Sequence, residues 1–336
     1  MIAATSPGRQ PPGWQQQLTE AVTNPQQLCE LLGLDPQVIG AGESLFPMRV
    51  PLAFVRRMRH GDYADPLLRQ VLALREELRP ADGYGADPLA EAGALRAPGL
   101  LQKYAGRALL ITTATCAVHC RYCFRREYPY ADAGSDTRRW QQALAAIAAD
   151  PSIEEVILSG GDPLSLSNAR LSALTDRLAA MPHVRRLRVH TRQPVVLPAR
   201  VDAGLCRWLA SLPWRPVVVL HVNHAQELDQ EVGAACEALR QSGAQLLNQS
   251  VLLAGVNDSG EALCALSRAL WHVGVLPYYL HLLDRVRGAS HFAVPEARAL
   301  QLQRHMLNAL PGYLVPRLVR EQPGAASKRP VFHAAG

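Results

Sequence analysis

The chain has 336 residues, 48% of them hydrophobic and 19% charged, with a net charge of +6. That balance excludes intrinsic disorder, and no apolar run reaches the ~20 residues of a membrane helix. The start, Met1 to Trp14, is polar and rich in Pro and Gln, without the apolar stretch of a secretory signal. All but two of the 35 basic residues are arginine, spread in short clusters such as Arg56, Arg57, Arg59 and Arg185, Arg186, Arg188. Such clusters read as solvated faces, so neither a membrane nor a nucleic acid is expected as a partner.

Residues 1 to about 95 read as helices and loops. Trp14–Leu32 carries Leu18, Val22, Leu28, Leu31 and Leu32 at helical spacing, with Pro25 dividing it into two short helices. Asp65–Leu78 shows the same spacing through Leu67, Leu68, Val71, Leu72 and Leu74. From about 105 the texture changes to short apolar strands alternating with amphipathic helices. The strands are expected at Ala108–Ala114, Glu155–Ser159, Arg186–His190, Pro216–Val222, Gln245–Val251 and Leu276–Leu283. Helices are expected near Trp140–Ala149, Leu171–Ala180, Gly204–Leu212, Leu228–Gln241, Ala262–His272 and Pro295–Leu310. Six consecutive β/α units imply a parallel sheet with right-handed crossovers, either a six-unit partial barrel or a doubly wound open sheet. The barrel is favoured because each strand runs into polar residues, among them Thr113, Asp162, Arg192, Asn223, Gln249 and Asp284. In barrels the active site lies at that end of the strands. The domains expected are 1–95, a helical extension; 96–312, the barrel core; and 313–336, a C-terminal segment.

The seven cysteines do not form a disulfide pattern: Cys116, Cys120 and Cys123 crowd into eight residues and the rest are scattered. That distribution suits a metal site in a reducing cytoplasm. The run Cys116-Ala-Val-His-Cys-Arg-Tyr-Cys123 follows the first barrel strand. Zinc would need a fourth ligand, and His119 is the one nearby candidate, in a position that a loop wrapping a metal would turn outward. Three thiolates on a [4Fe–4S] cluster would instead leave one iron open. An open iron is what S-adenosylmethionine needs, since its amino and carboxylate groups can chelate it. The cluster is the favoured reading, with zinc or free thiols as the others.

The run from Cys116 to Arg126 resembles the radical SAM superfamily and, within it, the lysine 2,3-aminomutase family. Further matches are Ser159-Gly-Gly-Asp-Pro-Leu164, Thr191–Arg200, His221-Val-Asn-His224, Leu247–Leu253, Pro277-Tyr-Tyr-Leu280 with Asp284, and Ser327-Lys328, together covering nearly the whole chain. Pro66-Leu-Leu-Arg-Gln70 and Asp87-Pro-Leu89 resemble the branch of that family which serves elongation factor P. The resemblance implies an α/β fold, a partial (β/α)6 TIM-type barrel, and an isomerase that converts (S)-α-lysine to (R)-β-lysine. A lysyl-tRNA-synthetase-like ligase would then attach the product to elongation factor P. Cofactors would be a [4Fe–4S] cluster on Cys116, Cys120 and Cys123, S-adenosylmethionine, and pyridoxal 5'-phosphate in a Schiff base with Lys328. An external electron donor is needed, and self-association into a homo-oligomer is open.

By the same resemblance, Arg107 would meet the pyridoxal phosphate group. Gly160, Gly161, Asp162, His221 and Gln249 would surround S-adenosylmethionine. Arg125 would bind the substrate carboxylate, and Asp284 and Glu321 its ε-ammonium. Glu321 stands where the free-lysine enzymes have an aspartate. Those enzymes also carry a cysteine-containing C-terminal extension, which this sequence lacks, a departure that favours the elongation factor P branch. Lys103 is the second of only two lysines and resembles no Schiff-base position. An aminomutase acting on another amino acid is the alternative activity, and an iron–sulfur scaffold or redox protein is the alternative class.

Overall fold

A computed structural model describes residues 13–36, 46–130 and 137–332. Most of the polar start and the last four residues lie outside them. The frame is a ten-stranded sheet whose strands follow one another in chain order. They are β1 Leu95–Ala97, β2 Leu100–Tyr104, β3 Arg107–Thr113, β4 Glu155–Gly160, β5 Arg186–Thr191, β6 Val217–Leu220, β7 Gln245–Val251, β8 Leu276–His281, β9 Arg317–Arg320 and β10 Arg329–Pro330. Strands β3 to β9 are parallel, and β1, β2 and β10 run antiparallel at the two ends. The six expected strands are β3 to β8. A seventh parallel strand, β9, extends the six-unit reading, and β10 folds back on it.

The crossovers are carried by helices Thr137–Ala149, Asn168–Ala179, Ala203–Ser211, Gln230–Gln241, Gly260–His272 and Glu296–Ala309. Their starts are written in the sequence. The side chains of Ser167, Asp202, Asp229 and Ser259 each accept the backbone N–H of the residue three positions on, capping four helices in turn. The strands alternate in the period-two sense. In β5, Leu187 and Val189 pack into the core against the helices, while Arg188 and His190 face the interior cavity. The barrel interior is therefore polar, and the apolar core lies between sheet and helices.

The N-terminal segment has its own apolar cluster, built from Trp14, Leu28, Phe54, Leu67 and Val71. Ala117 and Val118 of the cysteine run belong to the same cluster, so this segment packs directly on the loop after β3. Pro25 opens the second short helix instead of interrupting one: Trp14–Thr19 ends first, and Asn24 caps Pro25–Leu32. The expected helix over Asp65–Leu78 does not form. Only two 3-10 turns appear, Leu68–Gln70 and Arg75–Leu78. Tertiary bonds outcompete the helix there. The Asp65 carboxylate accepts from the Gln226 side-chain amide, the Gln70 side-chain amide donates to Glu227, and the Gln70 carbonyl accepts from the backbone N–H of Arg121 in the cysteine run. Among the described residues no helix is long and apolar enough to cross a membrane.

Candidate active site

One cavity of about 750 Å³ runs through the barrel. Every residue given a site role from the sequence lines it: Cys116, Cys120, Cys123, Arg107, Arg125, Gly160, Gly161, Asp162, His221, Gln249, Asp284, Glu321 and Lys328. The cysteines sit in the loop after β3, and all three are free. His119 lines the same cavity, and its Nδ1 is taken up 2.9 Å from the Pro47 carbonyl. Among the described residues no three His, Cys, Asp or Glu side chains converge on a single-ion site. Three thiols sharing one cavity, with no fourth protein donor beside them, fit a four-iron cluster with one iron left for a small-molecule ligand. Burial pushes the Cys116 thiol up, and pushes Cys123 up to about 11. Iron is thus what would convert these thiols to thiolates.

The loop is held by ion pairs to the N-terminal segment. Arg121 donates Nε and Nη2 to the Glu77 carboxylate at 2.7 and 2.5 Å, and Arg126 donates to it at 2.8 Å. Burial would push the Glu77 carboxyl up, but the two guanidiniums outweigh it and hold it below the ordinary range. Arg192, just after β5, donates to Cys120 Sγ at 2.8 Å, to Gln70 Oε1 at 2.6 Å and to Glu227 Oε2 at 3.0 Å.

Deeper in the cavity lies a chain of alternating charges. Arg125 donates Nε and Nη2 to Glu91 at 2.7 and 2.8 Å, and Nη1 to Ser159 Oγ at 3.1 Å. Lys103 Nζ lies 3.0 Å from Glu91 Oε1 and 3.1 Å from Glu321 Oε1. Lys328 Nζ donates to Glu321 Oε2 at 2.6 Å. Burial opposes the Glu321 charge, yet Lys328 and Lys103 together hold its carboxyl down to about 2. Asp284 is different: burial, and then the Glu321 carboxylate, push it up to about 7. Its side chain makes no hydrogen bond or ion pair among the described residues. The segment holding Lys328 is pinned rather than loose, since β10 pairs Arg329 with Arg320 and Pro330 with Val319.

Glycines 160 and 161 serve a close approach of the chain to itself. Gly160 has φ +121°, and a Cβ there would stand 2.7 Å from the Thr113 carbonyl oxygen; one on Gly161 would stand 2.5 Å from that of Thr115. The Asp162 carboxylate is taken up by the Thr191 hydroxyl and by the backbone N–H groups of Leu164, Arg192 and Gln193. It therefore ties the ends of β4 and β5 together. His221 and Gln249 bond to each other, the Gln249 amide donating to His221 Nε2 at 2.9 Å. Burial and then Arg192 push His221 down to about 3, which keeps the imidazole neutral. Arg107, at the start of β3, lies over the Tyr104 ring at the far end of the cavity.

Glu77, Glu91 and Glu227 are site residues that the sequence reading did not pick out; it named Arg192 only as a strand-end polar residue and Lys103 only as the second lysine. The scarcity of lysine was the available signal for Lys103. For Glu91 it was the neighbouring Asp87-Pro-Leu89.

Parallel strands, a three-cysteine loop at their C-terminal ends and a polar interior cavity define a partial barrel built around an iron–sulfur site. Residues 105–185 match the model of a 4Fe-4S single cluster domain. The chain is 46% identical to the L-lysine 2,3-aminomutase of Escherichia coli, over 98% of this chain and 97% of that one. It is 43% identical to the Haemophilus influenzae protein of the same name, over 95% and 96%. Among solved structures, a radical SAM methyltransferase from Sphaerobacter thermophilus superposes with a TM-score of 0.47 at 18% identity, covering 66% of this chain and 68% of that one. The chain belongs to the lysine 2,3-aminomutase family of radical SAM isomerases.

Proposed function

We propose that the protein moves the α-amino group of L-lysine to the β-carbon, giving (R)-β-lysine. The observation that carries this reading is the cavity itself: three free thiols, a lysine amine, a guanidinium and an unpaired buried carboxylate open into one space. When bound, a [4Fe–4S] cluster with S-adenosylmethionine would supply a carbon radical able to take hydrogen from C3, and pyridoxal phosphate would hold the migrating nitrogen. The reaction is an isomerisation, so atoms and electrons balance between lysine and product.

Cys116, Cys120 and Cys123 would hold the cluster and Lys328 the pyridoxal group, with Arg107 at its phosphate. Arg125 has five N–H donors, of which three are engaged by Glu91 and Ser159, so two remain for a substrate carboxylate. Asp284 and Glu321 form the acidic end that suits the ε-ammonium. Neutral His221 with Gln249 offers uncharged hydrogen-bonding groups near the cluster side. We further infer that the β-lysine serves modification of elongation factor P in the cytoplasm, on the resemblance of the N-terminal segment. The test is an anaerobic assay of reconstituted protein with L-lysine, S-adenosylmethionine and an external reductant. β-Lysine with 5'-deoxyadenosine is expected. Intact S-adenosylmethionine, or turnover of glutamate in place of lysine, would refute the reading. Offering the product to the ligase and elongation factor P tests the downstream step.

A further inference from the structure

One guanidinium is committed to a sulfur of the cysteine loop. Arg192, only 4% exposed, donates Nη1 to Cys120 Sγ at 2.8 Å. Its Nη2 is divided between Gln70 Oε1 at 2.6 Å and Glu227 Oε2 at 3.0 Å. Its Cζ lies over the rings of Phe54 and Tyr122 at 5.4 and 5.7 Å. The Asp162 carboxylate accepts its backbone N–H at 2.7 Å, so both ends of the residue are fixed. The partners are themselves occupied. Gln70 Oε1 also accepts from the Asn223 side chain, and Gln70 Nε2 donates to Glu227 Oε1. The same Glu227 oxygen accepts the backbone N–H groups of Asn223 and His224. The Glu227 charge is thus shared among three neutral donors as well as the guanidinium, and it cancels the positive charge only in part where Nη1 faces the sulfur.

Packing alone does not account for this arrangement. Arg192 Nε is buried without a partner, and Nη1 is given to a sulfur. A neutral thiol is a weak acceptor, so a buried guanidinium N–H directed at one recovers little of its desolvation. A thiolate recovers far more, because an ionised acceptor makes a charge-assisted bond. The geometry therefore fits a Cys120 that carries negative charge, as a ligand of an iron–sulfur cluster does.

We propose that Arg192 is a positioning residue for the cluster: acting through Cys120, it sets how readily the bound iron accepts an electron. A reduced cluster carries one more negative charge than an oxidised one. A hydrogen bond and a cation held against one of its sulfur ligands therefore stabilise the reduced form more, and burial strengthens the effect. Gln70 of the N-terminal segment and Glu227 of the turn Ala225–Glu227 keep the guanidinium in place. This deepens the iron–sulfur reading and rests on Cys120 being a cluster ligand.

Removing Arg192 alone would strand the buried Glu227 carboxylate, so the test uses a double variant and a single one. Reconstituted proteins of equal iron content are titrated against a low-potential viologen, and the reduced cluster is read by electron paramagnetic resonance. Arg192→Gln combined with Glu227→Gln should lower the ratio of reduced to oxidised cluster at a fixed poise at least tenfold, which is about 59 mV for one electron. Glu227→Gln alone leaves Arg192 on the sulfur and removes its counter-charge, so the ratio should rise. A merely structural role would change iron content or unfolding and leave the ratio of the loaded protein unmoved. An unmoved ratio in the double variant, or a fall in Glu227→Gln, would overturn the proposal. If the double variant holds no cluster, Glu227→Gln decides alone: a rise supports the proposal, and an unmoved or lower ratio overturns it. A wild type without a reducible four-iron signal, or full iron in Cys120→Ala, would instead refute the ligand assignment beneath it, and the proposal with it.

Discussion

Asp284→Asn tests the electrostatics of the site at the carboxylate that has no hydrogen bond or ion pair among the described residues. The Asp284 carboxyl is pushed from its ordinary 3.8 up to about 7, by burial first and by the Glu321 carboxylate second. Three decades of proton affinity correspond to roughly 4 kcal/mol disfavouring the ionised form in the empty site. An arriving ammonium relieves that penalty, so lysine binding at pH 6 should release close to one proton and at pH 8 almost none. Apparent affinity should fall about tenfold per pH unit below 7 in the wild type. In Asp284→Asn the pH dependence should vanish and binding should weaken by about 2–5 kcal/mol, a factor of roughly 30 or more. Titration calorimetry in two buffers of different ionisation enthalpy reads both quantities. The stability arm has a definite sign. A carboxyl whose folded pKa is raised binds its proton more tightly when folded, so its contribution falls as pH rises from about 4 through about 7. Thermal unfolding should therefore show Asp284→Asn gaining on the wild type between pH 5 and 8. Wild-type lysine affinity in the variant, or pH-flat binding by the wild type, would refute the assignment of the ammonium to Asp284.

Replacing Cys116, Cys120 or Cys123 by Ala should lower bound iron and abolish 5'-deoxyadenosine formation, measured by iron analysis and chromatography; full iron with undiminished cleavage would remove these thiols as ligands. Lys328→Ala should lose the visible absorbance of an imine with pyridoxal phosphate, and borohydride trapping in the wild type should label Lys328. A label on Lys103, whose ammonium shares Glu321 with it, would overturn the assignment. Glu77→Ala leaves two buried guanidiniums without their carboxylate and should cost about 3–5 kcal/mol in denaturant unfolding. Because the Glu77 pKa is depressed, its contribution is complete above the ordinary carboxylate range and is lost as pH falls, so wild type and variant should converge in acid.

The barrel was legible because its signals are local. β5 alternates Leu187 and Val189 with Arg188 and His190, and the helices that follow the strands announce themselves with Ser167, Asp202, Asp229 and Ser259. Strands β9 and β10 were not legible, being four and two residues long, too short for any period to show. Their consequence is large, since the hairpin they form sets Glu321 and Lys328 side by side. The Asp65–Leu78 segment misled for the opposite reason: its spacing is helical, but long-range bonds claim its backbone and its acids. The charge chain was hidden by distance along the chain. Arg125 finds Glu91 34 residues away, and Lys103 finds Glu321 218 residues away. No window of sequence contains both members of either pair.

Those distant pairs also supply the counter-charges of a cysteine loop rich in arginine. Arg121, Arg125 and Arg126 crowd into six residues, and buried guanidiniums without partners would each cost several kcal/mol. The thiols cannot provide the balance, since burial holds Cys116 and Cys123 in their neutral form. The balance comes instead from the N-terminal segment, Glu77 for Arg121 and Arg126 and Glu91 for Arg125. Arg192, which reaches Cys120 from the next strand but one, is matched in the same way by Glu227. Each cation beside the cluster site therefore has a carboxylate partner, with Glu77 shared by Arg121 and Arg126. Four guanidiniums against three carboxylates leave this frame one charge positive, so the thiolates of a bound cluster would meet residual positive charge rather than bare repulsion.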